Sequence, residues 1–161
     1  MRRAGRKLTH VDGSGRLRMV DVGGKQRVRR TAVAEGFIRL APATRRLLRA
    51  AALPKGDVRA AAEIAGIQAA KRTAELVPLC HVLPLEDVQV RLTPAPGGLR
   101  AVSRVTCTAK TGVEMEALTA VAVALLTVYD MCKAVDADMR IEGIRLLEKR
   151  KGDGEAADRV G

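Results

Sequence analysis

The chain has 161 residues, enough for one domain with a substantial core, and 47% of them are apolar, which excludes a disordered protein. Phe37 and Tyr129 are its only aromatic residues, which argues against a protein that stacks nucleic-acid bases on aromatic side chains. The net charge is +11, and residues 1–30 carry most of it, with ten Lys or Arg against two acids. Such a charge attracts nucleic acid, an anionic membrane or a polyphosphate.

The cysteines and the apolar segments indicate where the protein works. Cys80, Cys107 and Cys132 are odd in number and lack the spacing of a disulfide framework, which favours free thiols in a reducing cytoplasm. No apolar segment follows the basic N-terminus, so we expect no signal peptide. The longest apolar stretch, Ala117–Met131, is interrupted by Asp130 and is shorter than the roughly 20 residues that span a bilayer. We therefore expect a cytoplasmic protein without a membrane anchor.

In chain order, residues 1–34 are rich in Gly and Arg and are interpreted as a basic, extended N-terminal arm. Residues 35–150 should form a single α+β catalytic domain, and residues 151–161 a polar C-terminal tail. Within the domain we predict a strand at 35–41, a short helix at 42–53, a long helix at 58–77, strands at 87–92 and 99–108, a long helix at 113–134 and a strand at 139–149.

Single residues support these boundaries. Pro42 suits the first turn of a helix, Asp57 suits the N-cap of the long helix, and Pro78 prevents that helix from continuing. Gly66 lies inside the same helix, where it costs about 1 kcal/mol relative to Ala, so we expect it to let another element approach closely. Gly143 interrupts the alternation of the last strand and predicts a bulge.

The order of these elements predicts the fold. Ferredoxin-like α+β folds have the same order: a strand, the helical segment, two strands that form a hairpin, a helix and a final strand. We therefore expect an antiparallel four-stranded sheet with two long helices on one face. Because the predicted strands hold few polar residues, we also expect the other face of the sheet to pack on a partner.

The last predicted helix carries charged residues along one edge. At 3.6 residues per turn, Glu116 and Asp130 lie about 40° apart around the helix, and Asp130 and Lys133 about 60° apart. An ordinary surface ion pair would explain Asp130 and Lys133 equally well. Thr111 and Glu114 have the spacing of a capping box, which gives Glu114 a structural alternative. Spacing alone therefore leaves both a structural and a functional role open.

Two other stretches carry reactive side chains. Cys80 and His81 are adjacent, and since neighbouring residues seldom bind one metal and no second pair has metal-site spacing, we predict no metal site. His81 is either a structural residue or, near a cleft, a general acid or a phosphate donor. Lys55 precedes a helix N-terminus, a location that suits an anion, although a lysine in a turn is also common. These residues alone predict a basic α+β domain with a candidate anion site.

Several long segments, taken together, resemble one enzyme family. "KGDV" (55–58), "AEIAGIQAAKRTAELVPLCH" (62–81) and "KTGVEMEALTAVAVALLTVYDMCKAV" (110–135) follow "LTHVD" (8–12) in order. The chain thereby resembles the cyclic pyranopterin monophosphate synthase family of molybdenum cofactor biosynthesis, from Leu8 to about Lys149. Val82 stands where the family usually has Pro, and the basic extension Met1–Lys7 lies outside the family pattern.

The resemblance implies an enzyme, a phosphorus–oxygen lyase. Its substrate would be 3′,8-cyclo-7,8-dihydroguanosine 5′-triphosphate, and its products cyclic pyranopterin monophosphate and pyrophosphate. It also implies a homohexamer, a trimer of dimers with active sites at the dimer interfaces, and neither nucleic acid nor a membrane as a partner. No carboxylate cluster indicates a metal ion held by the protein, so no cofactor is expected; whether Mg²⁺ accompanies the triphosphate stays open.

The resemblance also implies roles for single residues by motif position. Asp130 matches the family's active-site acid or base, and Lys55 and Lys133 match catalytic lysines. Lys25 and Arg30 match cations on the phosphate side. The resemblance implies that Lys25 and Arg30 bind the substrate together with six other residues: Leu79, Cys80, His81, Glu114, Met115 and Glu116.

Two alternatives to an active enzyme remain at this point. The charge of +11 also fits a module that binds nucleic acid or nucleotides, and a catalytically inactive relative could keep the family's assembly. A binding module should tolerate Asp130→Ala, whereas the enzyme should lose turnover while keeping its fold.

Overall fold

A computed structural model of the chain describes residues 10–50 and 56–152. Lys55, the extension Met1–Lys7 and most of the predicted tail, residues 153–161, lie outside the described residues. Within the described residues, four strands and four helices follow one another in the predicted order, with the helix predicted at 58–77 present as two. They are β1 (Val28–Arg39), α1 (Pro42–Arg49), α2 (Val58–Lys71), α3 (Thr73–Leu76), β2 (Leu85–Ala95), β3 (Gly98–Ala109), α4 (Glu114–Cys132) and β4 (Arg140–Lys151).

The strands form one antiparallel sheet in the order β2-β3-β1-β4. The predicted α+β architecture with an antiparallel four-stranded sheet is confirmed, and the strand order fits the ferredoxin-like arrangement. β2 and β3 form the predicted hairpin, in which Ala95 pairs with Gly98. At the opposite edge, the register between β1 and β4 shifts beside Gly143, whose φ is 63°, so the predicted bulge is present there.

The first strand is longer than predicted. β1 begins at Val28, so residues 28–34, which the sequence placed in the arm, belong to the central part of the sheet. Ala32 and Ala34 are buried, and the small size of these residues leaves a weak hydrophobic pattern between charged neighbours. The basic composition therefore concealed a strand that pairs on both sides, with β3 and with β4.

The long helix predicted at 58–77 is divided into two. α2 ends at Lys71, Arg72 leaves helical geometry with φ −112° and ψ 13°, and α3 is a single turn. The buried hydroxyl of Thr73 donates to the carbonyls of Ala69 and Ala70 in the last turn of α2. A side chain therefore satisfies helix carbonyls that a continuous helix would have bonded to its own amides. The predicted N-cap is confirmed, since Asp57 accepts from the first backbone amides of α2.

α2 and α4 pack side by side on the sheet, and Gly66 lies at their contact. A Cβ at Gly66 would stand 2.8 Å from the carbonyl oxygen of Ala120 in α4. The close approach predicted from Gly66 is thus confirmed. On the sheet side, the buried hydroxyl of Ser103 in β3 donates to the carbonyl of Ala117 at 2.7 Å. These two contacts fix the height of α4 above the sheet.

α4 is the main helix of the core. By length and composition, α4 could cross a membrane. The sequence did not predict this, because the apolar stretch counted there is shorter than α4. Its buried side chains, which include Val121, Leu125 and Val128, belong to the single hydrophobic core of the fold. This is the environment of a core helix, because one face of α4 is covered by the sheet and another by α2.

The other face of the sheet is charged. Glu35 on β1 accepts hydrogen bonds from Arg100 on β3 and Arg145 on β4, at 2.8 and 2.9 Å. Although burial alone would raise the pKa of Glu35, these bonds and the two positive charges lower it. The expectation that this face holds too few polar residues for contact with solvent is wrong, because alternation places the charged residues of all three strands together. Apolarity therefore gives no reason to place a partner on this face.

Candidate functional site

One group of predicted site residues lies at the N-terminal end of α4. Glu116 stands in the first turn of the helix and is only 4% exposed. The pKa of the half-buried Cys80 thiol is raised by burial and by the charge of Glu116. Burial and Glu116 likewise raise the pKa of Cys107, to about 11. Since the charge of Glu116 influences both thiols, Cys80 and Cys107 both lie near one buried carboxyl group.

Burial also sets the pKa of Glu116 itself. It raises this pKa to about 7, the negative charge of Glu114 adds to the rise, and a hydrogen bond from the residue's own backbone amide opposes it. A carboxyl group with a pKa near neutrality can both hold and release a proton under working conditions. This is the property of a general acid or base.

The N-terminus of α4 differs from the predicted capping box. The N-cap residue is Val113, and no side chain caps the helix. The carboxylate of Glu114 instead lies against Gly112 and stands 3.9 Å from the ammonium group of Lys149 on β4. The predicted cap by Thr111 and Glu114 is therefore wrong, because β4 offers Glu114 a cation that the local sequence does not contain. The structural alternative for Glu114 no longer applies.

A segment of the N-terminal region reaches the same end of the molecule. His81 Nε2 is 2.9 Å from the carbonyl oxygen of Val20. Because a carbonyl oxygen only accepts, Nε2 is the donor of this hydrogen bond. The Lys110 ammonium group donates to the carbonyl of Gly23 at 2.6 Å. Lys25 follows in an exposed turn, closed by a hydrogen bond from its amide to the carbonyl of Val22.

Arg30, on β1 of the sheet, also belongs to the first group. It pairs with Cys107 across β1 and β3, and its positive charge opposes the rise in the pKa of that thiol. Its Nε is buried and has no hydrogen-bond partner among the described residues. The first group thus combines a buried carboxyl, a cation, an imidazole and two thiols. Two more residues belong to the first group. Leu79 is half-buried, and Met115 is 39% exposed.

The second group lies at the C-terminal end of α4. Lys133 Nζ donates to Asp130 Oδ1 at 2.7 Å, and the two side chains are 59% and 62% exposed. This hydrogen bond and the charge of Asp130 raise the pKa of Lys133, so the lysine stays protonated. After the helix, Asp136 accepts from the backbone amide of Ala41, two residues beyond the end of β1. The second group therefore lies beside the end of β1, whereas Arg30 lies near its beginning.

One chain does not bring the two groups together. Glu116 and Asp130 are fourteen residues apart on α4, which at 1.5 Å per residue separates them by about 21 Å. Lys55, the third predicted catalytic residue, is not among the described residues. In residues 10–50 and 56–152, no three His, Cys, Asp or Glu side chains converge as a metal site would require.

Comparison with known proteins identifies the family. The family model described as "MoaC family" matches residues 19–152. This chain belongs to the MoaC family. It is 57% identical over 148 residues to a cyclic pyranopterin monophosphate synthase of Chloroflexus aggregans, covering 91% of this chain and 90% of that protein. The enzyme of the same name from Chloroflexus aurantiacus is 54% identical over 154 residues, which cover 94% of this chain and 94% of that protein. The one from Novosphingobium aromaticivorans is 54% identical over 145 residues, which cover 90% of this chain and 92% of that protein.

The match to the MoaC family confirms the resemblance seen in the sequence, and the matched range contains both groups of site residues. Sequence reasoning did not select Cys107 or Lys110 for the site. Cys107 is adjacent to Arg30 only through the pairing of two strands 77 residues apart in the chain. Lys110 immediately precedes the "TGVEMEALT" segment, and its position in that motif was the one local signal that it lies near the site.

Proposed function

We propose that this chain is an enzyme of molybdenum cofactor biosynthesis, a cyclic pyranopterin monophosphate synthase. It converts 3′,8-cyclo-7,8-dihydroguanosine 5′-triphosphate into cyclic pyranopterin monophosphate and releases pyrophosphate. The observation that carries this proposal is the full-length similarity to enzymes of that name, at 54–57% identity. It requires no cofactor of its own, and the substrate enters as a nucleotide-derived triphosphate, with or without Mg²⁺.

The first group of residues suits the two kinds of chemistry in this reaction. Closing the cyclic phosphate requires a hydroxyl group to attack the α-phosphate while pyrophosphate leaves, and cations stabilise the charge that develops. Arg30 and Lys25 supply such cations beside the first group. Rebuilding the guanine as a pterin breaks and forms C–N bonds, and each step needs a proton donor or acceptor. Glu116, with a pKa of about 7, can serve as either.

The second group supplies Asp130 and Lys133. Because Asp130 keeps Lys133 protonated, we assign Lys133 the role of a cation or a proton donor rather than a base. Asp130 is the acceptor of this pair and is the candidate acid or base on its side of the site. The exposure of both side chains leaves them accessible to a substrate that approaches from outside the chain.

We further propose that each active site lies between two chains. A separation of about 21 Å along α4 exceeds the reach of one small substrate, so Asp130 and Lys133 of one chain would complement Glu116 and His81 of a second. A two-fold axis that pairs the chains in this way creates two equivalent sites. The dimers would assemble further into a homohexamer, a trimer of dimers. The cytoplasm is the compartment that the three free cysteines favour.

The proposed reaction is tested by incubating the purified protein with the cyclic triphosphate and measuring pyrophosphate release. We expect release by the wild type, and a loss of at least about 100-fold in kcat for Asp130→Asn, since acid–base groups typically contribute that much. The fold should persist, because exposed ion pairs contribute little to stability.

Asp138→Asn is the matched control, since Asp138 is exposed and follows α4 outside both groups of site residues. It should release pyrophosphate at the wild-type rate. A folded wild-type protein that releases no pyrophosphate would contradict the proposed function and favour an inactive relative. Undiminished turnover in Asp130→Asn would contradict the assigned role of Asp130.

A further inference from the structure

A cavity with arginine walls lies outside both groups of site residues. It occupies about 210 Å³ between α1, the first turn of α2 and the turn that joins β2 to β3. One water molecule needs roughly 10–15 Å³ of such space, so the cavity can hold a much larger ligand. Arg45, Arg49 and Arg59 line it together with apolar residues that include Leu48 and Leu99. We call this space the arginine cavity.

The positive charge of the arginine cavity is not neutralised by the described part of the chain. Among the described residues, no acidic one lines it, and Arg45, Arg49 and Arg59 form no ion pair. The Nε of Arg45 is buried without a hydrogen-bond partner among the described residues. A buried donor without a partner is costly, and buried charges are normally paired. An anionic ligand would supply the missing acceptor.

Local helix stability explains Arg49, which lies in the last turn of α1 where a cation is favourable, but it does not explain Arg45 or Arg59. Arg45 and Arg49 are four residues apart on α1, a spacing at which like charges repel and destabilise the helix. Asp57 is close in sequence to Arg59, but its carboxylate accepts hydrogen bonds from backbone amides of α2 as the helix cap. Three arginines therefore line one space although two of them, Arg45 and Arg49, repel each other along α1.

We propose that the arginine cavity binds a phosphoanion with two phosphoryl groups, for which pyrophosphate is the simplest form. The planar donor fork of arginine matches the oxygens of a phosphoryl group, and three such forks suit an anion that carries several charges. The apolar residues in its walls lower the local dielectric constant, which strengthens these interactions. This inference concerns binding alone and does not depend on the proposed reaction, although pyrophosphate is also its product.

The test is isothermal titration of the purified full chain with pyrophosphate and, separately, with inorganic phosphate, in low salt with EDTA and without the cyclic triphosphate. We expect saturable binding of pyrophosphate and at least tenfold weaker binding of phosphate. The double variant Arg49→Ala/Arg59→Ala should bind pyrophosphate at least tenfold more weakly. Both side chains are exposed at the rim, so the fold should persist, and circular dichroism checks this. If the double variant does not fold, Arg59→Ala alone should weaken binding at least threefold.

The matched control is Arg46→Ala/Arg104→Ala, which removes the same charge from two exposed positions that do not line the cavity. Its affinity for pyrophosphate should stay within twofold of the wild type. The proposal is overturned if the wild type shows no saturable binding or if the control weakens binding as much as the cavity variant. Binding that the cavity variant leaves intact would belong to the candidate active site and would also overturn it. Equal affinity for phosphate and pyrophosphate overturns the assignment to two phosphoryl groups.

Discussion

At the scale of single residues, Glu116 shows which of two opposing effects dominates. Its place in the first turn of α4 favours the ionised carboxylate, because a helix N-terminus carries partial positive charge. Burial and the neighbouring charge of Glu114 favour the protonated form. The pKa of about 7 means that desolvation outweighs the helix dipole. The same burial that raises the pKa of Glu116 should therefore destabilise the fold at high pH.

We predict that Glu116→Gln is more stable than the wild type above neutral pH. The pKa of Glu116 lies above that of an unfolded glutamate, so the folded state binds more protons and wild-type stability falls as the pH rises from about 4.5 to 7. At pH 8 the variant should gain roughly 1–3 kcal/mol in the free energy of unfolding, and at pH 4 the gain should vanish. Urea denaturation at a series of pH values measures this difference.

Glu114→Gln serves as the control for this prediction, because its carboxylate is partly exposed and faces Lys149. It should give only a small part of the gain at high pH, because burial raises the pKa of Glu116 more than the charge of Glu114 does. If the stabilities of Glu116→Gln and the wild type change with pH in parallel, Glu116 is not the source of the pH dependence.

At the scale of secondary-structure elements, the contact between α2 and α4 depends on the absence of a side chain at Gly66. Besides the carbonyl of Ala120, a Cβ there would lie 3.1 and 3.2 Å from the methyl groups of Val90 in β2. Gly66 therefore sets the distance of α2 from both the neighbouring helix and the sheet. A backbone oxygen in a packed helix cannot move as a flexible side chain can, so extra volume has to displace a whole element.

We predict that Gly66→Ala destabilises the fold although alanine is the better helix former. The intrinsic gain of about 1 kcal/mol should be outweighed by overpacking, for a net loss of about 1–3 kcal/mol in the free energy of unfolding. Thermal or urea denaturation measures the loss. Gln68→Ala on the exposed side of the same helix should be neutral or slightly stabilising. An increase in stability for Gly66→Ala would mean that α2 and α4 are not in close contact.

At the scale of the whole molecule, the important feature is the distance between the two ends of α4. The first group lies near the beginning of β1 and the second beside its end, so the core of the domain separates them. Nothing within one folded domain can bring Glu116 and Asp130 together without dissolving the core helix that carries both. Association of two chains joins the two groups without such a cost.

We predict that two inactive variants restore activity when mixed. In a two-fold dimer of Glu116→Gln with Asp130→Asn, one site combines both substitutions and the other has neither. After random exchange of subunits, half of the dimers are mixed, so the pool should recover about a quarter of wild-type turnover. Pyrophosphate release from coexpressed or co-refolded variants measures the recovery, with each variant alone as its control. A mixture no more active than its components would contradict an active site shared between chains.

The family and the order of elements could be predicted from the sequence, because long motifs, turn residues and periodicity are local properties. The roles of the site residues stay a prediction from the same motifs. Gly66, Asp57 and the hairpin followed from single residues in the same way. The extent of β1, the interruption of the helix at Arg72 and the partner of Glu114 could not be predicted, since each depends on a contact distant in the chain. Only the tertiary structure decided that Arg30 and Cys107 share a register, that Glu116 is buried enough to titrate near pH 7, and that three arginines line one cavity. Burial and register depend on neighbours that folding brings together, and no local pattern contains them.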